Sequence, residues 1–130
     1  MTLRDDVIDY IVASCAKEGL ETRPRIGVMA SELNSDKDEV IEIVKGLEKE
    51  GFIEYVTDTT GGGESHVCPA ISPEELYTRR IVELVNEKGK VDVDELHKCL
   101  ALDKHKISEL ADKLAKEGKI KFAEGNLEVA

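Results

Sequence analysis

The strongest constraint on the fold is an internal repeat. Sliding the sequence along itself by 67 places sets DKDEVIEIVKGLEKEGFIEY, residues 36–55, over DKHKISELADKLAKEGKIKF, residues 103–122, without a gap, and eight of the twenty positions are identical. The apolar positions coincide: Val40 with Ile107, Ile43 with Leu110, Leu47 with Leu114, Ile53 with Ile120, and Tyr55 with Phe122. Spacings of three and four followed by a spacing of two describe one buried helical face running into one strand. Upstream, a shift of 70 sets IVASCAKEG, residues 11–19, over IVELVNEKG, residues 81–89, so the first copy carries three extra residues around Leu20 to Thr22. Such an insertion belongs in a loop. The period exceeds that of stacked solenoid repeats, which points to a duplicated domain, one unit over residues 1–70 and another over residues 71–130. Units of about 60 residues lie near the lower limit at which a core is self-sufficient.

Each copy reads the same way. The first helix spans residues 4–17, with Val7, Ile8, Ile11, Val12 and Cys15 on one face, Thr2 and Asp5 spaced as a capping box, and Gly19 just past its end. Its counterpart opens with Ser72, Pro73, Glu74 and Glu75, which supply an N-cap, a first-turn proline and an acidic first turn. It continues through Leu76, Tyr77, Ile81, Leu84 and Val85 to Gly89. A short extended piece, residues 25–27 or 90–91, leads into a second helix holding Met29, Ala30 and Leu33, or Val93, Leu96 and Leu100; Asp92 and Glu95 again have capping-box spacing. The third helix starts near Asp36 or Asp103 and stops at Gly51 or Gly118, where glycine takes the left-handed cap. A β-hairpin follows, FIEYV and HVCPAI around the loop DTTGGGES in one copy, KIKFA and LEVA around EGN in the other. The expected class is α+β and helix-rich. With 41% hydrophobic and only 4% aromatic residues, its core is built from Val, Ile, Leu and Ala.

The net charge of −10 opposes a chain that coats nucleic acid or an anionic membrane along its whole surface, so any phosphate contact must be local. Residues 1–60 hold 7 Lys or Arg against 14 Asp or Glu, and residues 64–130 hold 11 against 14, so the second half is the less acidic. Cys15, Cys68 and Cys99 are odd in number and widely spaced, with no hydrophobic signal segment, which fits reduced thiols in the cytoplasm. No apolar run is long enough to span a membrane. The absence of Gln, with three Asn, 13 Lys and 18 Glu, is a thermophile-like composition.

Chemical motifs are few. Gly61, Gly62 and Gly63 are followed by no Lys and no helix, so they form a wing tip rather than a phosphate loop. His66 with Cys68 has the spacing of one strand face, whereas His97 with Cys99 on a helix diverges by about 200°, so no metal site is expected. No nucleophile elbow, zinc-protease motif, dinucleotide fingerprint or catalytic triad is present, which points to a non-enzyme without cofactor.

The order helix, short strand, helix, turn, helix, hairpin resembles the winged helix-turn-helix family in both halves, and LEKEGFIEY and LAKEGKIKF resemble the end of that family's recognition helix entering its wing. The resemblance implies a tandem winged-helix transcription regulator in which the third helix enters the major groove of duplex DNA and the wing touches the backbone. The second copy suits this role, with Lys104, His105, Lys106, Ser108 and Lys113 on the third helix and Lys119 and Lys121 after it. In the first copy Asp36, Asp38, Glu39 and Glu42 occupy the corresponding region and would repel phosphate. The alternative is a protein-interaction scaffold that docks a basic partner on those carboxylates. A continuous positive surface from Lys104 to Lys121 favours DNA; interruption by Glu109, Asp112 and Glu117 favours the scaffold. A homodimer is a further implied partner, since such regulators often dimerise.

Overall fold

The computed structural model describes residues 2–18, 24–57 and 65–130. The inserted residues 20–22, the cap expected at Gly19 and the glycine-rich tip at Gly61 to Gly63 lie outside the described residues. The chain divides into two compact units, Met1–Pro73 and Glu74–Ala130.

Unit 1 contains α1 (Leu3–Glu18), α2 (Ile26–Glu32), α3 (Lys37–Lys49), β1 (Ile53–Val56) and β2 (His66–Pro69). Helix α1 begins at a reciprocal cap: the Thr2 N–H donates to the Asp5 carboxylate at 3.1 Å and the Asp5 N–H donates to Thr2 Oγ1 at 3.2 Å. Val7, Ile8, Ile11, Val12 and Cys15 are buried along one face of α1, which packs on α3. On α3 the buried residues are Val40, Val44 and Leu47. Ile43, expected in that face, is only half-buried, because Val44 one residue on carries the stripe instead. The extended piece expected over residues 25–27 shrinks to Arg25, which bridges His66 of β2, while Ile26 and Gly27 already belong to α2. Leu33 caps the end of α2 rather than joining its buried face.

Unit 2 contains α4 (Pro73–Lys88), β3 (Lys90–Asp92), α5 (Val93–Leu100), α6 (Lys104–Lys116), β4 (Ile120–Ala123) and β5 (Asn126–Val129). The strands form an antiparallel sheet ordered β3-β5-β4. The loop expected as EGN is tighter: Asn126 pairs with Ala123, leaving Glu124 and Gly125 as a two-residue turn with φ of 54° and 77°. Positive φ at both central positions is the type I′ turn, whose twist matches that of the flanking strands. The core combines Leu76, Ile81 and Val85 of α4 with Leu96 and Leu100 of α5, Ile107, Leu110, Ala111 and Leu114 of α6, and Ile120 and Leu127 of the hairpin.

The two third helices end alike. The N–H of Phe52 reaches the Leu47 carbonyl at 3.1 Å and that of Gly51 reaches the Glu48 carbonyl at 3.0 Å. Lys119 to Leu114 and Gly118 to Ala115 repeat the pattern, both at 3.0 Å. This is the Schellman arrangement, and it requires the left-handed φ of 83° at Gly51 and 77° at Gly118. The helix starts also match, because Asp36 accepts from the Asp38 N–H at 3.4 Å and Asp103 accepts from the His105 N–H at 2.8 Å. The turns between the second and third helices hold Asn34 at φ 51° and Ala101 at φ 57°, again 67 residues apart. The fold is α+β and helix-rich, each unit carrying three helices and a small antiparallel hairpin in winged-helix order.

Candidate nucleic-acid interface

Helix α6 is oriented by its buried side. Ile107, Leu110, Ala111 and Leu114 face inward, and α6 packs on α5 and β4. At 3.6 residues per turn the opposite side is then drawn by His105, Glu109, Asp112 and Lys116, all exposed. Lys104 and Lys113 are exposed beside this stripe, while Lys106 and Ser108 are half-buried. Lys119 sits in the turn after α6 and Lys121 is exposed on β4, so the seven candidate residues fall on α6 and its junction with the wing strand.

The charge on this segment contrasts with its counterpart. Residues 104–121 hold six Lys against three Asp or Glu, whereas the matched residues 37–54 hold three against six. The positive character is broken up in detail. Lys104 Nζ is 2.8 Å from Asp94 Oδ1, Lys113 Nζ is 3.2 Å from Glu74 Oε1, and Lys119 Nζ is 3.6 Å from Glu117 Oε2. Glu109 lies 3.5 Å from His105 Nε2 and 3.9 Å from Lys106 Nζ. Among the described residues Lys116, Lys121 and Asp112 form no ion pair. The hydrogen bond from Lys104, and then its charge, hold the Asp94 carboxyl below the usual carboxylate range. The same bond, and then the Asp94 charge, hold the Lys104 ammonium above the usual lysine range. Asp94 and Glu74 were not legible as partners, since only the fold brings α5 and the start of α4 to these lysines.

In unit 1, Asp38, Glu39 and Glu42 are exposed on α3 and Asp36 caps it. Of these, Glu42 has Lys45 at 4.0 Å, while Asp38 and Glu39 form no ion pair among the described residues.

The His and Cys pairs resolve separately. His66 and Cys68 are half-buried on β2, and His97 on α5 directs Nδ1 at the Leu102 carbonyl at 2.6 Å, which requires that nitrogen to carry the proton. Cys15 is buried and Cys68 and Cys99 are half-buried, none of them in a disulfide. Among the described residues no helix is long and apolar enough to cross a membrane.

No family model and no curated protein matches the sequence. Among solved structures, the chain is similar to the mRNA-binding domain of elongation factor SelB from E. coli in complex with SECIS RNA, at 10% identity and TM-score 0.39, covering 99% of this chain and 98% of that one. It is similar to the transcriptional regulator Tm0710 from Thermotoga maritima at 21% identity and TM-score 0.44, covering 86% and 72%. It is also similar to Lactococcus lactis ZitR in complex with DNA at 15% identity and TM-score 0.37, covering 87% and 74%. At such scores the superpositions are loose, and the winged-helix order rests on the elements and strand pairing described above.

Proposed function

We propose that this chain is a small transcription regulator of tandem winged-helix type that contacts duplex DNA through unit 2, with α6 in the major groove and the β4–β5 hairpin on the backbone. The observation that carries the reading is the charge reversal between matched segments, six Lys against three acids over residues 104–121 and the inverse over residues 37–54. Interruption by Glu109, Asp112 and Glu117 counts toward the scaffold, but long-range attraction for phosphate follows summed charge, and that of residues 104–121 remains positive despite the local pairs. Those pairs are exposed, and solvent-exposed pairs are screened and contribute little, so phosphates displace the carboxylates at small cost.

Duplex binding measured by fluorescence anisotropy against salt concentration tests this. Affinity falls steeply as salt rises, and the Lys104→Glu/Lys106→Glu double variant loses at least about tenfold and lowers the salt slope by about 2. Absence of duplex binding at low salt, or a double reversal without effect, defeats the proposal.

A second reading has its own observation. Glu109 and Asp112 stand in the middle of the exposed side of α6, and Asp38 and Glu39 on α3 are exposed without a cation. An acidic α3 of this kind fits a basic protein surface, which makes the chain a docking subunit. Recovery of a stable basic partner that is lost on Asp38→Asn/Glu39→Gln, together with no duplex binding, would select this reading.

A further inference from the structure

The basic side chains at the start of α6 lie against carboxylates of their own unit. Asp94, from the first turn of α5, sits 2.8 Å from Lys104 Nζ. Glu109 lies 3.5 Å from His105 Nε2, which counts as a charge pair only when the ring is protonated, and 3.9 Å from Lys106 Nζ. Two carboxylates therefore cover the three groups that a phosphate backbone would meet at this helix end. Both are exposed, so they hold these groups without being needed in the core. The lowered Asp94 carboxyl and raised Lys104 ammonium agree with a pair that stays ionised and engaged near neutral pH.

Resting on the DNA reading above, we infer that Asp94 and Glu109 form an autoinhibitory contact that competes with DNA phosphates for Lys104, His105 and Lys106. A phosphate that takes Lys104 must break a charge-assisted hydrogen bond and then lie beside the abandoned carboxylate. The device discriminates by charge density. A duplex, with closely spaced phosphates on two strands, replaces several pairs at once, whereas inorganic phosphate meets the full repulsion of Asp94 and Glu109 with one or two contacts. Affinity is thereby set below what the six lysines of the segment would give alone.

The test uses the full chain and a labelled mixed-sequence duplex at low salt. Removing one exposed ion pair is expected to tighten binding about two- to fivefold for Asp94→Asn, and Asp94→Asn/Glu109→Gln by about tenfold, with the gain shrinking as salt rises. Glu54→Gln, at an exposed position on β1 of unit 1, makes the same change in net charge as the single variant and serves as control. Glu109→Gln alone, inside α6, covers the case in which Asp94→Asn weakens the start of α5, and a thermal melt of each variant confirms folding. Gains in the Asp94 and Glu109 variants without a gain in Glu54→Gln support the contact, as does binding that appears only in the double variant. Wild-type binding that the variants leave unchanged or weaken, or a Glu54→Gln gain of equal size, overturns autoinhibition and leaves the DNA reading standing. No binding by either wild type or double variant overturns both.

Discussion

At the scale of single residues, backbone conformation separates glycines that look alike in the sequence. Gly46 is inside α3, aligned with Lys113 of the second copy, and an added Cβ would meet nothing within 4 Å. Gly118 also has open space, but its φ is 77°. The same substitution therefore has opposite signs. Gly46→Ala stabilises unit 1 by about 0.5–1 kcal/mol, because alanine is the better helix former and restricts the unfolded chain. Gly118→Ala destabilises unit 2 by about 1 kcal/mol, since an L side chain in the left-handed region crowds its own backbone. Urea melts of the two variants check the signs, and a stabilising Gly118→Ala would show the Schellman turn to be dispensable. The sequence carried the Gly118 position openly, as a glycine at the end of a periodic run. Ala101 it did not: its φ of 57° matches that of Asn34 in the other copy, and alanine gives no hint of a left-handed turn.

At the scale of elements, legibility followed the depth of the periodic signal. The third helices, with caps at Asp36 and Asp103 and stops at Gly51 and Gly118, emerge as the repeat implied. The departures are where two geometries compete for a few residues. Ile26 and Gly27 are too close to the helix start for an extended reading to hold, and Asn126 is drawn into the strand because a type I′ turn needs only Glu124 and Gly125. The buried stripe of α3 shifts by one residue, because the IEIV run offers Ile43 and Val44 side by side and periodicity alone does not choose between them. The choice has a measurable consequence. Leu47→Ala, at a site 1% exposed, destabilises by about 2–5 kcal/mol, and half-buried Ile43→Ala by clearly less. Equal losses in chemical denaturation would place Ile43 back in the core. The candidate interface was legible as a list of cations on α6 and β4 interrupted by Glu109 and Glu117, but two of the four carboxylates that engage them, Asp94 and Glu74, lie 10 and 39 residues away along the chain, and only tertiary structure brings them there.

At the scale of the whole molecule, a segment with six Lys against three acids belongs to a chain of net charge −10. Attraction at the site then competes with repulsion from the rest of the chain, and the balance depends on ionic strength. Neutralising α3 with Asp38→Asn, Glu39→Gln and Glu42→Gln raises the rate of association with duplex DNA several-fold at low salt. Near about 1 M salt, where the screening length is about 3 Å, it leaves the rate unchanged. Stopped-flow association at the two salt concentrations separates this from a docking role, in which the same variant changes no DNA rate. The matched caps and Schellman turns have a consequence beyond stability. They make the third helix an exchangeable part, held at both ends by an aspartate cap and a glycine turn and along its length by Val40, Val44 and Leu47 or their counterparts. Its outward positions are left free to be rewritten: with Lys37 already matching Lys104, three substitutions, Asp38→His, Glu39→Lys and Ile41→Ser, give the first two turns of α3 the candidate residues of α6 and leave every cap and fully buried side chain in place. A duplication built this way lets one copy keep a task while the other takes up a new one.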